Sequence, residues 1–487
     1  MLTAHTIDAF ASATDMLQAL RNRQISAVEL LELHLDRIER YNPRINAIVV
    51  PNYAAARKAA AAADTARTHG EDRPLLGLPL TIKDCIYVQG LPTTGGVPER
   101  ANAIAAEDSI LAARVRAAGA VIMGKTNVPP YAADIQAWNP LFGRTDNPWN
   151  LDRTPGGSSG GSAAALAAGL TPLEFGGDFA GSIRQPAAFC GVYGHKASET
   201  ALARTGHFPG GLLPNAAVGM AVQGPLARSA HDLALAFDVV AGPDVGEDAA
   251  WQLLMPRARH KRLADYRVAI MPPIPWLPVD DEIMRAQEEL AMKLGQAGAH
   301  VAVTQPELFG DLREYHKLYL SVFWALMYTG RSAADRAREA AEFRASEDEW
   351  LNAYADGIEA SASDYIIWYS RREQYRTAYR AFFRDWDVLI TPCNIVNAFP
   401  HDDRPMAERT VIVNGHPISY DLQMVHPGLA NFSGHPATAF PAGQTRDGLP
   451  IGLQAIGPYL EDYTPIHFAA LVAEAWGGFQ APQGYEA

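Results

Sequence analysis

Three residues of this chain have the types and surroundings for acyl-transfer chemistry. Lys83 lies in Gly-Leu-Pro-Leu-Thr-Ile-Lys-Asp, Ser158 in Pro-Gly-Gly-Ser-Ser-Gly-Gly-Ser, and Ser182 in Gly-Gly-Asp-Phe-Ala-Gly-Ser-Ile-Arg. Together they supply one potential base and two hydroxyls, set in glycine-rich segments. A hydroxyl is a weak nucleophile. It gains power from a base within hydrogen-bond reach and from a third group that orients or relays. The set points to a hydrolase whose serine is activated by a lysine instead of a histidine. A free lysine is almost wholly protonated at neutral pH. To accept a proton it must be desolvated, which disfavours its charged form. A place at the end of an apolar run, as Lys83 has, suits that need.

The elements that must position these groups read as alternating helices and strands. The first fifty residues read as helices. Ser26 with Glu29 makes a capping-box pattern, and Val28, Leu31, Leu35 and Ile38 follow at helical spacing. Asn42-Pro43 is expected to end that helix. Residues 52–68 are alanine-rich and suit another helix. Residues 75–84 read as a strand that delivers Lys83 at its C-terminal end. A helix over 109–118, a C-cap at Gly119 and a buried strand over 120–123 follow. A helix is expected over 162–169, with its positive N-terminal end toward the glycine-rich segment. Later strands are expected over 266–271, 299–304, 387–391, 438–440 and 452–456, with helices over 229–240 and 281–296 between them. This alternation points to a layered α/β domain. Strands from both ends of the chain are needed for one sheet, so a single large domain spanning 1–487 is expected. Its parts are N-terminal helices (1–70), a core holding the three groups (71–250), a mainly helical, aromatic-rich insertion (306–384) and a C-terminal return to the sheet (385–487).

Composition narrows the function classes. At 487 residues, with 48% apolar and 20% charged residues, the chain has the balance of a soluble globular protein. A net charge of −13 without a basic cluster argues against a nucleic-acid partner. Three scattered cysteines, Cys85, Cys190 and Cys393, form neither a disulfide framework nor a zinc pattern. The odd count suits a reducing compartment. The N-terminal residues lack a basic and then apolar leader pattern, and no run of about 18 apolar residues marks a membrane span. The expectation is a cytoplasmic protein with no membrane partner, no metal and no organic cofactor. A monomer or homodimer acting on a small molecule is expected.

The segment 77–242 closely resembles the amidase signature family of serine hydrolases, which use a Ser–cis-Ser–Lys triad. The resemblance rests on Lys83-Asp84, on 156–162, on 177–187, and on the 24 residues separating Ser158 from Ser182. Residues 224–229 (Gly-Pro-Leu-Ala-Arg-Ser), 432–437 (Phe-Ser-Gly-His-Pro-Ala) and 448–454 (Gly-Leu-Pro-Ile-Gly-Leu-Gln) extend it over nearly the whole chain. It is weakest over 261–385. The resemblance implies a mixed sheet between helical layers, an α/β/α sandwich. It implies Lys83 as base, Ser158 as relay after a cis peptide from Gly157, and Ser182 as nucleophile. It places the oxyanion-stabilising amides at Phe179, Ala180, Gly181 and Ser182. Asp178 and Arg184, flanking the nucleophile, are read as structural.

Phe179 and Ala180 stand where the family commonly has Thr and Gly. Alanine lacks glycine's easy access to positive φ, and Phe179 adds a bulky wall. In the insertion, Tyr315, Tyr319, Phe323, Trp324 and Tyr328 roughly follow one helical face. They either pack the core or, with Trp138, Phe142 and Phe179, line a pocket for a bulky apolar or aryl amide, carbamate or ester. Two alternatives stand beside amide hydrolysis. One is the amidase subunit of a glutamine-dependent amidotransferase. The other is an α/β-hydrolase in which Gly156-Gly157-Ser158-Ser159-Gly160 is the G-x-S-x-G elbow. That elbow requires a strand directly before the serine.

Overall fold

A computed structural model describes residues 7–208, 219–346 and 348–486. Among the described residues the central sheet has eleven strands: β1 (Ile48–Pro51), β2 (Pro79–Lys83), β3 (Val121–Thr126), β4 (Leu173–Asp178), β5 (Tyr193–Lys196), β6 (Val222–Ala227), β7 (Arg267–Ile270), β8 (His300–Val303), β9 (Val388–Pro392), β10 (Ala437–Gln444) and β11 (Pro450–Ile456). Their spatial order is β1-β3-β2-β4-β6-β5-β10-β11-β9-β7-β8. β3, β2 and β4 run parallel to one another, as do β9, β7 and β8, and the remaining pairs are antiparallel. This is the mixed sheet flanked by helices that the resemblance implies. Strands from residues 79–83 and 450–456 share it, as the reading of one sheet built from both chain ends requires.

The helices are α1 (Ala13–Arg21), α2 (Ala27–Ile45), α3 (Tyr53–Thr68), α4 (Ile110–Ala117), α5 (Gly160–Ala167), α6 (Arg184–Cys190) and α7 (Ala230–Val240) in the first half. The second half adds α8 (Asp281–Gln296), α9 (Leu312–Met327), α10 (Ala333–Arg344), α11 (Glu349–Glu359), α12 (Ala362–Asp385), α13 (Val425–Ser433) and α14 (Tyr463–Trp476). The Ser26–Glu29 capping box opens α2. Among the described residues, no helix is long and apolar enough to cross a membrane.

Two local expectations are corrected. Pro43 does not end α2, which continues to Ile45. A proline in the last turn costs little, because its missing N–H and its ring affect few remaining bonds. The stop is made by Asn46 in the left-handed region (φ 51°) and by the Asn42 side chain, which accepts from the amides of Ala47 and Ile48, each at 2.9 Å. The first fifty residues are also not all helical. Ile48–Pro51 forms the edge strand β1, and its proline sits at the strand end, where no ladder donor is lost.

Two large hydrophobic clusters hold the layers. One joins α1–α4 and α7 to the β2–β3 side of the sheet, with Leu30, Leu80, Ile82 and Phe237 fully buried. The other packs the insertion, α9–α12, against α13 and β9 through Tyr315, Tyr319, Tyr379 and Phe432. The small helix α5 lies buried along its whole length. Its Gly-Gly-Ser-Ala-Ala-Ala-Leu-Ala sequence has little side-chain bulk to hold it away from the sheet.

Candidate active site

β2 is buried throughout and sits between β3 and β4. It carries Lys83 to its C-terminal end, opposite Thr126 of β3. Lys83 is 1% exposed, and its Nζ donates to Ser158 Oγ at 2.7 Å and to the Gly177 carbonyl at 3.4 Å. Burial lowers its pKa against the opposing pull of Cys85, Asp178 and Glu174. The adjacent Asp84 does not pair with it. That carboxylate is spent on Lys125, at 2.8 Å, and on Thr94. Lys83 is thus left with neutral partners, the condition under which a buried amine gives up its proton.

Ser158 lies in the segment leading into α5, and the Gly157–Ser158 peptide is cis. A Cβ at residue 157 would stand 2.5 Å from the Asp134 carbonyl oxygen, so only glycine fits there. The next residue links the two serine segments: Ser159 N–H donates to the Ser182 carbonyl at 3.1 Å. Between Arg144 and Gly160 the chain forms turns and no strand. The G-x-S-x-G elbow therefore lacks the strand it requires.

Ser182 is half-buried in the turn from β4 to α6. Asp178 straps this turn on both sides of the serine, accepting from Gly181 N–H at 2.8 Å and Ile183 N–H at 3.2 Å. Arg184 holds Asp178 with two bonds of 3.0 Å, and both side chains are fully buried. Burial alone would raise the Asp178 carboxyl pKa, but the Arg184 charge and the bonds from Arg184 and Asn431 hold it below the usual carboxylate range. Arg184 also donates to Gln454 at 2.6 Å, to the Pro427 carbonyl at 3.1 Å and to Asn431. Its five donors are committed to the protein. Among the described residues, the amides of Phe179, Ala180 and Ser182 find no acceptor, whereas Gly181 N–H is engaged by Asp178.

The aromatic residues divide. The Phe179 ring lies 4.5 Å from that of Phe323, and Tyr319 donates to the Phe179 carbonyl at 3.2 Å. Trp324 adjoins Phe323 but turns to Tyr354 and Phe343 inside the insertion. Tyr315 packs on Phe432 and bonds the Leu429 carbonyl, a core role. Trp138 and Phe142 do not join the group. Trp138 is 47% exposed on a two-stranded hairpin (Trp138–Asn139 with Gly143–Arg144), and Phe142 packs against the first cluster. The reason is local. Asn139 anchors the hairpin to Asn127 and Val128, and Asn46 holds the Phe142 carbonyl.

Several residues here escape a reading from motifs. Glu174 of β4 is fully buried, bonded to Thr81, to Thr126 at 2.9 Å and to Ser162 at 3.0 Å. Burial pushes its carboxyl pKa up to about 8 despite those hydroxyls. Lys125 and Asn431 complete the Asp84 and Asp178 pairs. A polar residue inside a buried strand is the one signal that marks Glu174 and Lys125. Cys85 is buried, with His207 Nε2 3.4 Å from its sulfur, and burial raises its thiol pKa.

Similarity to known proteins places the chain in a family. The family model described as Amidase matches residues 29–465. An indoleacetamide hydrolase of Bradyrhizobium diazoefficiens is 33% identical over 460 residues, covering 93% of this chain and 84% of that protein. A glutamyl-tRNA(Gln) amidotransferase subunit from a Roseiflexus species is 32% identical over 481 residues, covering 93% of each. Among solved structures, a bacterial aryl acylamidase of the amidase signature family superposes with a TM-score of 0.82. It is 27% identical, and the match covers 96% of both chains. With its sequence matched to the family model over most of its length and its sheet superposing on that of an established member, the chain belongs to the amidase signature family, enzymes that act on amides.

Proposed function

We propose that the protein hydrolyses a carbon–nitrogen amide bond by two-step acyl transfer, with Ser182 as nucleophile and Ser158–Lys83 as its proton relay. Neutral Lys83 takes the Ser158 proton as Ser158 takes that of Ser182. Ser182 Oγ attacks the carbonyl carbon, and the carbonyl π electrons move to oxygen. The free amides of Phe179, Ala180 and Ser182 face that developing charge. Gly181 N–H, engaged by Asp178, serves to shape the loop. The tetrahedral species collapses, the C–N bond breaks, and the relay returns its proton to the leaving amine. Water then gives a proton to the relay and attacks the acyl-enzyme. The acid leaves, and Ser182 recovers its proton.

The observation that carries this reading is the 2.7 Å bond from Lys83 Nζ to Ser158 Oγ between two groups each 1% exposed. A lysine placed there gains nothing as a surface charge and is held ready to exchange a proton. The substrate class follows from Phe179 and Phe323, whose packed rings, tilted by 40° to one another, give the loop an apolar wall. Bulky or aryl amides fit such a wall. Aryl carbamates and esters share the reacting carbonyl and are expected as secondary substrates. Similarity to an indoleacetamide hydrolase and an aryl acylamidase supports the same class.

The test is intact mass before and after treatment with a fluorophosphonate, with peptide mapping. One adduct on Ser182, abolished or strongly slowed in Lys83→Ala, is expected; an adduct on Ser158 would refute the assignment. Aryl amides should be cleaved faster than small aliphatic amides. The similarity to an amidotransferase component favours a second reading, ammonia delivery within a complex. Clear glutaminase activity would select it over the first.

A further inference from the structure

Tyr319 bears on the nucleophile loop in a way its distance along the sequence conceals. It lies on α9, 137 positions from Ser182, and is fully buried. Its hydroxyl donates to the Phe179 carbonyl at 3.2 Å. The Phe179–Ala180 peptide is trans, so its C=O and N–H point in opposite directions across one plane. A bond that fixes the carbonyl therefore fixes the direction of Ala180 N–H, which has no acceptor among the described residues.

The tyrosine itself is held rigidly. Its ring packs against Gly428 of α13, where a Cβ would come within 3.1 and 3.2 Å of two ring carbons. The preceding residue, Pro427, presses on the other end of the loop: a Cβ on Gly181 would meet its ring carbons at 2.8 Å. Pro427 also accepts from Arg184. The loop is thus gripped at Gly181 by α13 and at Phe179 by α9. Burial raises the Tyr319 phenol pKa, so the hydroxyl remains a donor.

We infer that Tyr319 is a positioning residue for oxyanion stabilisation: through the Phe179 carbonyl it aims Ala180 N–H at the charge that develops on the substrate. This inference rests on the Ser182 reading above. It also accounts for Ala180. Where glycine is usual, the loop here carries an L-residue with fewer backbone options, and a side-chain hydroxyl from the insertion sets the peptide plane instead.

The experiment measures the rate of Ser182 phosphonylation by a fluorophosphonate and by its P=S analogue. The phosphoryl oxygen occupies the oxyanion position, and sulfur accepts hydrogen bonds poorly. Tyr319→Phe keeps the ring on Gly428 and removes only the hydroxyl. It should slow the oxygen probe about tenfold while leaving the sulfur probe nearly unchanged, with Tm as in the parent. Rates within twofold of the parent for the oxygen probe, or equal slowing of both probes, would overturn the inference. Should Tyr319→Phe lower Tm, Gly428→Ala displaces the ring with the hydroxyl retained and should show the same loss of oxygen preference; an unaltered preference there would again overturn it. Labelling that persists in Ser182→Ala would instead bring down the Ser182 reading, and this inference with it.

Discussion

On one side of the site, Lys83, Ser158 and Ser182 are held by segments of glycine, alanine and serine; on the side that meets Phe179, α9 presents Tyr319 and Phe323 from an insertion dense in aromatic rings. The first region works by backbone. At Gly157 and Gly181 a Cβ would stand less than 3 Å from its neighbours, so only glycine fits, and the bonds from Asp178 fix the turn around the serine. The second region works by bulk, with tilted ring pairs whose centroids lie 4.5 to 6.1 Å apart. Small residues are needed where a carbonyl must be approached from several directions at once. Large ones give an apolar wall without taking part in chemistry. The Phe179 carbonyl, bonded by Tyr319, is where the two regions touch.

The contrast can be broken from either side. The largest effect is expected from the relay. Ser158→Ala should lower kcat by roughly 10³-fold or more, since members of a catalytic set act as a unit; turnover within tenfold of the parent would remove Ser158 from the mechanism. Next comes the frame beneath it. Arg184→Ala leaves Asp178 buried without its cation, and about 3–5 kcal/mol of stability should be lost. Thermal and urea unfolding would read this, and an unchanged midpoint would show that the loop needs no such strut.

The aromatic side predicts a smaller, selective effect. Phe323→Ala should reduce kcat/KM for an aryl amide about tenfold, within the ~1–3 kcal/mol that a pocket contact discriminates. A small aliphatic amide should be unaffected. Equal losses on both would return Phe323 to pure packing.

The mildest test concerns Glu174, whose folded-state pKa is raised by burial to about 8 from an ordinary 4.5. Its contribution to stability is fully present below the unfolded value and is lost as pH rises through the folded one. Between those values the unfolded chain ionises while the folded chain keeps the proton, so stability falls with rising pH. Glu174→Gln keeps a partner for Thr81, Thr126 and Ser162 without the proton. Its Tm should gain on the parent as pH goes from 5 to 8; a constant difference would show that Glu174 does not titrate in this window.

Much of this was legible along the chain. The capping box at Ser26, the strand ending in Lys83 and the helix over Asp281–Gln296 follow from local spacing, because a helix or strand turns its side chains at a set period. The site segments were legible because Lys83, Ser158 and Ser182 each sit in a run that resembles a motif of the amidase signature family. Trp138 and Phe142 show the opposite case. Their types suited a pocket, but type says nothing about where a hairpin is anchored, and three asparagines far apart in sequence decided that.

By itself the sequence determined the layered α/β class, the lysine and two serines, and an aromatic insertion, all properties of neighbouring residues. Tertiary structure alone decided that Asp84 pairs with Lys125 and so leaves Lys83 free of a carboxylate. It alone decided that Arg184 is spent on Asp178, that Gly181 N–H is engaged, and that Tyr319 reaches the Phe179 carbonyl. Burial and long-range partners set the protonation and direction of each group, and these arise only when segments distant in the chain are packed together.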